Sequence, residues 1–146
     1  MQNEFMQAAL HEACLASYQN EVPVGAVIVK DGEIIASSHN LCEEKSNPLL
    51  HAEILAICEA LEKLGVSRLD GCDMYVTLEP CAMCCGAISN ARLSRLYFGA
   101  YDKLFGGVVS AAHIFESCGF APEYYCGIME DECSALITEF FKNLRK

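Results

Sequence analysis

Positive charge is scarce in this sequence. Ten Lys and Arg face twenty Asp and Glu among 146 residues, a formal charge of -10, so the general attraction that draws basic proteins onto nucleic acid or anionic membrane is absent. Any nucleic-acid partner must be held by local contacts. Long apolar runs are missing too: at 53% hydrophobic and 21% charged, the chain is too often interrupted by charge to span a bilayer and too apolar to be disordered. No internal repeat, linker or low-complexity tract is visible, and 146 residues are the size of one domain. Residues 1–146 are therefore expected to form a single globular unit. No basic, apolar leader precedes the first amphipathic segment, so the ten cysteines are read against a reducing cytoplasm rather than as a disulfide framework. Cys14, Cys42, Cys58, Cys72, Cys118, Cys126 and Cys133 are expected to pack as small apolar side chains. The cluster Cys81, Cys84 and Cys85 needs a chemical account.

The charge is unevenly spread. Residues 1–73 carry 4 basic and 12 acidic side chains, and residues 74–146 carry 6 and 8, so a phosphate is better tolerated by the second half. Arg92, Arg95, Lys103, Lys142, Arg145 and Lys146 are its candidate partners.

Apolar residues at helical spacing predict a first helix over Glu4–Tyr18, stopped near Asn20. Val22–Val29 reads as a strand buried on both faces, Asp31-Gly32 as a two-residue hairpin turn, and Glu33–Ser38 as its return strand. Ile54, Leu55, Ile57, Cys58, Leu61 and Leu64 mark a second helix closed by Gly65, with His51 and Glu53 in its first turn. Met74–Leu78 is a third strand, and Pro80 suits the first position of a third helix that carries Cys81 and Cys84 in its opening turn. A fourth strand is read at Arg95–Gly99, a short fifth at Tyr124–Gly127, and a final helix from Met129. Strands alternating with helices after a hairpin imply a three-layer α/β/α domain around a mixed, mainly five-stranded sheet.

Two strand-to-helix passages hold the unusual polar chemistry: His51-Ala52-Glu53 and Glu79-Pro80-Cys81-Ala82-Met83-Cys84. Two thiolates three apart in a first helical turn can meet on one metal ion, where the positive helix end favours their ionised form. His51 supplies a third ligand, and zinc with three protein ligands and an open fourth position is the catalytic arrangement. Glu53 then stands ready to take a proton from zinc-activated water and return it to a leaving amine. A His with Glu two residues on and a later Pro-Cys-x-x-Cys is the general signature of zinc deaminases. Cys85 points about 100° around the helix from Cys84 and is taken as a buried thiol. His11, His39 and His113 have no partner at ligand spacing.

The run Met74–Ile88, with Glu21–Val27 and His51-Ala52-Glu53, closely resembles the bacterial tRNA-specific adenosine deaminases of the cytidine deaminase-like superfamily. The likeness continues through Ala91-Arg92-Leu93 and Phe98-Gly99-Ala100 to Phe140-Phe141. It implies the cytidine deaminase-like fold and conversion of adenosine to inosine at the wobble position of a tRNA anticodon. A homodimer with active sites near the subunit boundary and one zinc per chain are implied as well. By the same resemblance His51, Cys81 and Cys84 match the zinc ligands and Glu53 the proton shuttle. Asn40 matches the asparagine that reads the flipped base, Asp102 a loop position beside the RNA, and Phe141 lies on the helix that contacts the anticodon stem-loop. Leu49-Leu50 stands where the family commonly has Thr-Ala, Tyr101 where some members have Arg, and Val109 where glycine is usual. Two other functions suit parts of the same pattern: a deaminase of guanine, cytosine or cytidine using the same zinc, and a noncatalytic zinc-stabilised module. Glu53 argues against the second, since a structural site needs no positioned acid and base.

Overall fold

The hairpin and the parallel strands join into one five-stranded sheet. The computed structural model describes residues 2–144, with helices α1 (Gln2–Tyr18), α2 (Ala52–Leu64), α3 (Ala82–Ala91) and α4 (Glu130–Leu144). The strands are β1 (Gly25–Lys30), β2 (Glu33–His39), β3 (Cys72–Leu78), β4 (Arg95–Ala100) and β5 (Glu123–Tyr125), in the spatial order β2-β1-β3-β4-β5. β1 runs antiparallel to both β2 and β3, whereas β3, β4 and β5 are parallel. Asp31 and Gly32 both take positive φ, 51° and 78°, the turn that matches strand twist in a tight hairpin.

Side chains of β1 alternate between two cores, as the continuous apolar run requires. Ala26 and Ile28 pack with Met74, Val76, Leu96 and Phe98 among Ala52, Ala56 and Ile88 from α2 and α3. Val27 and Val29 face the other way, with Tyr75 and Tyr97, toward Phe5, Met6 and Ala9 of α1 and Cys133 of α4. The layers are thus α2 and α3 on one face and α1 and α4 on the other. Gly25 lets α1 close onto the sheet: a Cβ there would lie 2.0 Å from the Ala9 carbonyl oxygen.

Several details depart from the sequence reading. Val22–Val24 precede the strand rather than opening it, because the Val24 N–H turns back to the Val22 carbonyl. Pro80 lies before α3, and Cys81 takes the N-cap position with φ -73° and ψ 175°. A short 3-10 helix, Ile114–Glu116, lies in a stretch to which the sequence assigns no element. Cys72 and Cys133 are buried and Cys14, Cys42, Cys118 and Cys126 half-buried as packing residues, but Cys58 is exposed on α2. No helix among the described residues is long and apolar enough to cross a membrane.

Candidate metal centre and its pocket

The sheet topology brings the chemistry to one edge. Gly25 at the start of β1 pairs with His39 at the end of β2, and its N–H donates to Thr77 near the end of β3 at 3.1 Å. Leu78 at the end of β3 pairs with Ala100 at the end of β4. The carboxyl ends of three strands therefore open toward one crevice, where α/β sheets bind ligands. A cavity of about 660 Å³ lies there, lined by Asn40, His51, Glu53, Glu79, Cys81, Asp102, Phe105 and Phe141 among others.

His51 and Cys81 both occupy helix N-caps in extended conformation, and neither side chain caps its own helix. Each is left free for another partner. The His51 Nδ1 atom lies 3.7 Å from Cys81 Sγ and 3.5 Å from Cys84 Sγ, and the three ligand atoms all fall within 4.8 Å of one another. Tetrahedral zinc with Zn–S of about 2.3 Å and Zn–N of about 2.0 Å separates nitrogen from sulfur by about 3.5 Å. The donor set fits zinc in both chemistry and spacing. The Cys81 thiol is drawn down to about 4, chiefly by the hydrogen bond from Cys84, with burial opposing and His51 assisting. The same pairing, with burial, pushes the Cys84 thiol up. Hydrogen bonding to Cys81 raises His51 against the effect of burial. Cys85 is fully buried, points to the Pro80 carbonyl at 3.6 Å and has its thiol raised by burial. It lies outside the cluster of ligand atoms, as its angle on the helix implies.

Glu53 is 3% exposed in the first turn of α2 and lines the cavity. Burial pushes its carboxyl up to about 7, with its own backbone N–H and His51 pulling the other way. A carboxyl poised near neutrality is suited to taking up and releasing a proton. Asn40 accepts a hydrogen bond at Oδ1 from the Ala52 N–H at 2.7 Å. That bond satisfies a free donor of α2 and fixes the amide plane, leaving the NH₂ group for the cavity that Asn40 lines.

The loop after β4 hangs on Glu79, to which the sequence reading assigned no role. Its carboxylate, 2% exposed, accepts the N–H groups of Asp102, Val108, Val109 and Ser110 at 2.8 to 3.1 Å, and the Ser110 hydroxyl as well. Burial alone would raise its carboxyl, but the Ser110 hydroxyl and the backbone donors outweigh it and hold the group below the usual carboxylate range. A Cβ on Gly106 would meet the Glu79 carboxyl at 2.5 Å, so glycine is needed for the close approach. Glu21, 1% exposed, acts similarly on the opposite loop by accepting the N–H groups of Glu43 and Glu44 at 3.0 and 2.8 Å. The Asp102 side chain turns inward on its own loop, where Oδ1 accepts from Leu104 and Phe105.

Phe140 and Phe141 meet edge to face at 5.4 Å and both line the cavity, so the pair belongs to the pocket wall rather than to the core. His39 is satisfied by Glu12 at 2.7 Å and Gln19 at 3.2 Å, while His11 and His113 are exposed. Lys142 is exposed on α4, and Arg145 and Lys146 lie outside the described residues.

Residues 1–100 match the family of the cytidine and deoxycytidylate deaminase zinc-binding region. The tRNA-specific adenosine deaminase of Rickettsia felis is 50% identical over 144 residues, which cover 96% of this chain and 100% of the relative. That of Aquifex aeolicus is 48% identical over 145 residues, covering 97% and 94%. Among solved structures, one from a study of A-to-I editing at the wobble position of transfer RNA superposes with a TM-score of 0.89 at 48% identity, covering 91% of this chain and 98% of that one. A guanine deaminase from Nitrosomonas europaea shares the fold, with a TM-score of 0.83 at 23% identity over 94% and 83% of the two chains. This chain belongs to the zinc-binding cytidine and deoxycytidylate deaminase family and, within it, to the tRNA-specific adenosine deaminases.

Proposed function

We propose that this chain deaminates adenosine to inosine at the wobble position of tRNA anticodons, with water as the other substrate and ammonia as the other product. The observation that carries the chemistry is the buried Glu53 carboxyl in the same cavity as His51 and Cys81, whose ligand atoms cluster with the buried Cys84 thiol. Those three residues would hold zinc, which supplies Lewis acidity that makes a water molecule nucleophilic near neutral pH. Glu53 carries one proton of the water to N1 of the adenine ring as the C6–O bond forms, and then carries the remaining hydroxyl proton to the amino nitrogen as the C6–N bond breaks, which leaves N1–H and C6=O and releases ammonia. Asn40 donates its amide N–H to an acceptor on the purine, its orientation fixed by the bond to Ala52. An adenosine reaches this depth only when unstacked, and loop nucleotides are the least costly to extrude.

The subunit is proposed to work as a homodimer in the cytoplasm. Exposed Leu49 and Leu104, near His51 and Asp102 in sequence, support an interface beside the site, and ten free cysteines suit a reducing compartment. A second reading, deamination of a free base, draws support from the cavity lining, which includes five carboxylates and no Lys or Arg among the described residues. Zinc-loaded protein assayed side by side on an anticodon stem-loop, guanine, cytosine and cytidine separates the two. Inosine in the RNA with little turnover of the small substrates supports the first reading, and the reverse pattern overturns it.

A further inference from the structure

Phe105 is 69% exposed yet lines the same cavity as His51, Glu53 and Phe141. Its place is built by the surrounding chain. Glu79 accepts the Asp102 N–H, Asp102 Oδ1 accepts the Phe105 N–H at 3.1 Å, and Gly106 donates to the Asp102 carbonyl at 2.9 Å while bridging to Cys81. An apolar ring is thus presented to solvent by a turn fastened to the strand-to-helix passage that bears Cys81. Among the described residues Phe105 makes no ring pair, unlike Phe140 and Phe141. The charged side chains that line the cavity with it are carboxylates, and although Lys103 is exposed two residues away on the same loop, what Phe105 itself presents to the cavity is an uncharged π-face.

We infer that Phe105 is a substrate-binding residue whose ring stacks on an unpaired nucleobase flanking the adenosine in the pocket. The inference rests on the tRNA reading and extends it to the source of affinity. Every base has a face that stacks on an aromatic ring without any counter-charge. An acidic chain can in this way hold single-stranded loop nucleotides with few phosphate contacts. Phe141, 40% exposed on α4, supplies a second aromatic face on the same cavity.

The test is single-turnover deamination of an anticodon stem-loop titrated with zinc-loaded protein. Phe105→Ala should raise the half-saturating concentration by about 5- to 150-fold while the saturating rate stays within about twofold. Phe105→Trp should restore binding and Phe105→Leu should not, which separates stacking from simple apolar contact. The salt dependence should be the same in parent and Phe105→Ala, since no counterion is released by stacking. Removing the flanking bases one at a time should weaken the parent at one position and leave Phe105→Ala unaffected there. The inference is overturned if Phe105→Ala saturates like the parent, if Phe105→Leu works as well as Phe105→Trp, or if the loss accompanies a change in zinc content or sedimentation mass. Should the parent itself form no inosine in RNA, the tRNA reading fails first; should it do so with every Phe105 variant saturating alike, only the stacking inference fails.

Discussion

Replacing Glu79 by Gln should destabilise the fold while leaving the zinc ligands in place. The carboxylate serves four N–H groups and one hydroxyl. With the amide oxygen turned to Val108, Val109 and Ser110, the new NH₂ faces the Asp102 N–H, and the Ser110 hydroxyl must reverse to accept. One buried donor is then opposed by another, at about 1–3 kcal/mol, and three bonds fall from charge-assisted to neutral, at about 0.5–1 kcal/mol each. Relief from burying a charge offsets part of this. The offset is incomplete, because the carboxyl is held below its ordinary range despite burial. A net loss of about 2–4 kcal/mol follows, a large share of the roughly 5–15 kcal/mol that holds a domain together. In a chain of 146 residues it corresponds to a fall in melting temperature of about 5–15 °C. Urea unfolding of zinc-loaded parent, Glu79→Gln, Ser110→Ala and the double variant provides the assay. The double variant should lose less than the sum of the singles, since both changes act on one network. A Glu79→Gln protein within about 0.5 kcal/mol of the parent would refute the reasoning.

Metal analysis of Cys84→Ala should show most zinc lost, whereas Cys85→Ala should keep near one zinc per chain; equal losses would place Cys85 among the ligands. Asn40→Asp retains an acceptor for the Ala52 N–H but loses the amide donor, so kcat/KM should fall by about 5- to 150-fold with the fold retained, as kinetics and melting measured together would show. Burial raises the Cys133 thiol from 9.0 to about 12. A thiol whose folded value is raised stays protonated while the unfolded chain ionises, so its contribution is intact below pH 9 and is lost as pH rises toward 12. Between pH 9 and about 10.5 the parent should lose about 2 kcal/mol more than Cys133→Ala in urea titrations, and equal slopes would contradict the assignment.

Where residue type itself carries the chemistry, the candidate site was legible in sequence. His51, Cys81, Cys84 and Glu53 are of residue types with few roles, and the structure clusters the ligand atoms of His51, Cys81 and Cys84 while Glu53 lines the same cavity as His51 and Cys81. Asn40, Asp102 and Phe141 entered through resemblance and also line it. Glu79 and Glu21 were opaque because their partners are backbone N–H groups 22 to 31 residues away, and a backbone donor leaves no signature in sequence. Glu79 did carry one usable signal, an acid before Pro80 followed later by the paired glycines Gly106 and Gly107. Phe105 carries no mark in the sequence, since its exposure is decided by the turn that Asp102 builds. The α2 and β1 patterns were legible because periodicity reports which face is buried. The segment Ile114–Glu116 was not, since three residues are too few to show a period.

The most direct test is the mass of an anticodon stem-loop after incubation with zinc-loaded parent and with zinc-loaded Glu53→Gln. The parent should replace one exocyclic NH₂ by oxygen at the wobble adenosine and nowhere else, while Glu53→Gln, with the same zinc content, should leave the RNA unchanged over many parent turnovers. Inosine formed at a near-parental rate by Glu53→Gln, or an unmodified wobble adenosine after incubation with the parent, would contradict a buried carboxyl working beside zinc on tRNA.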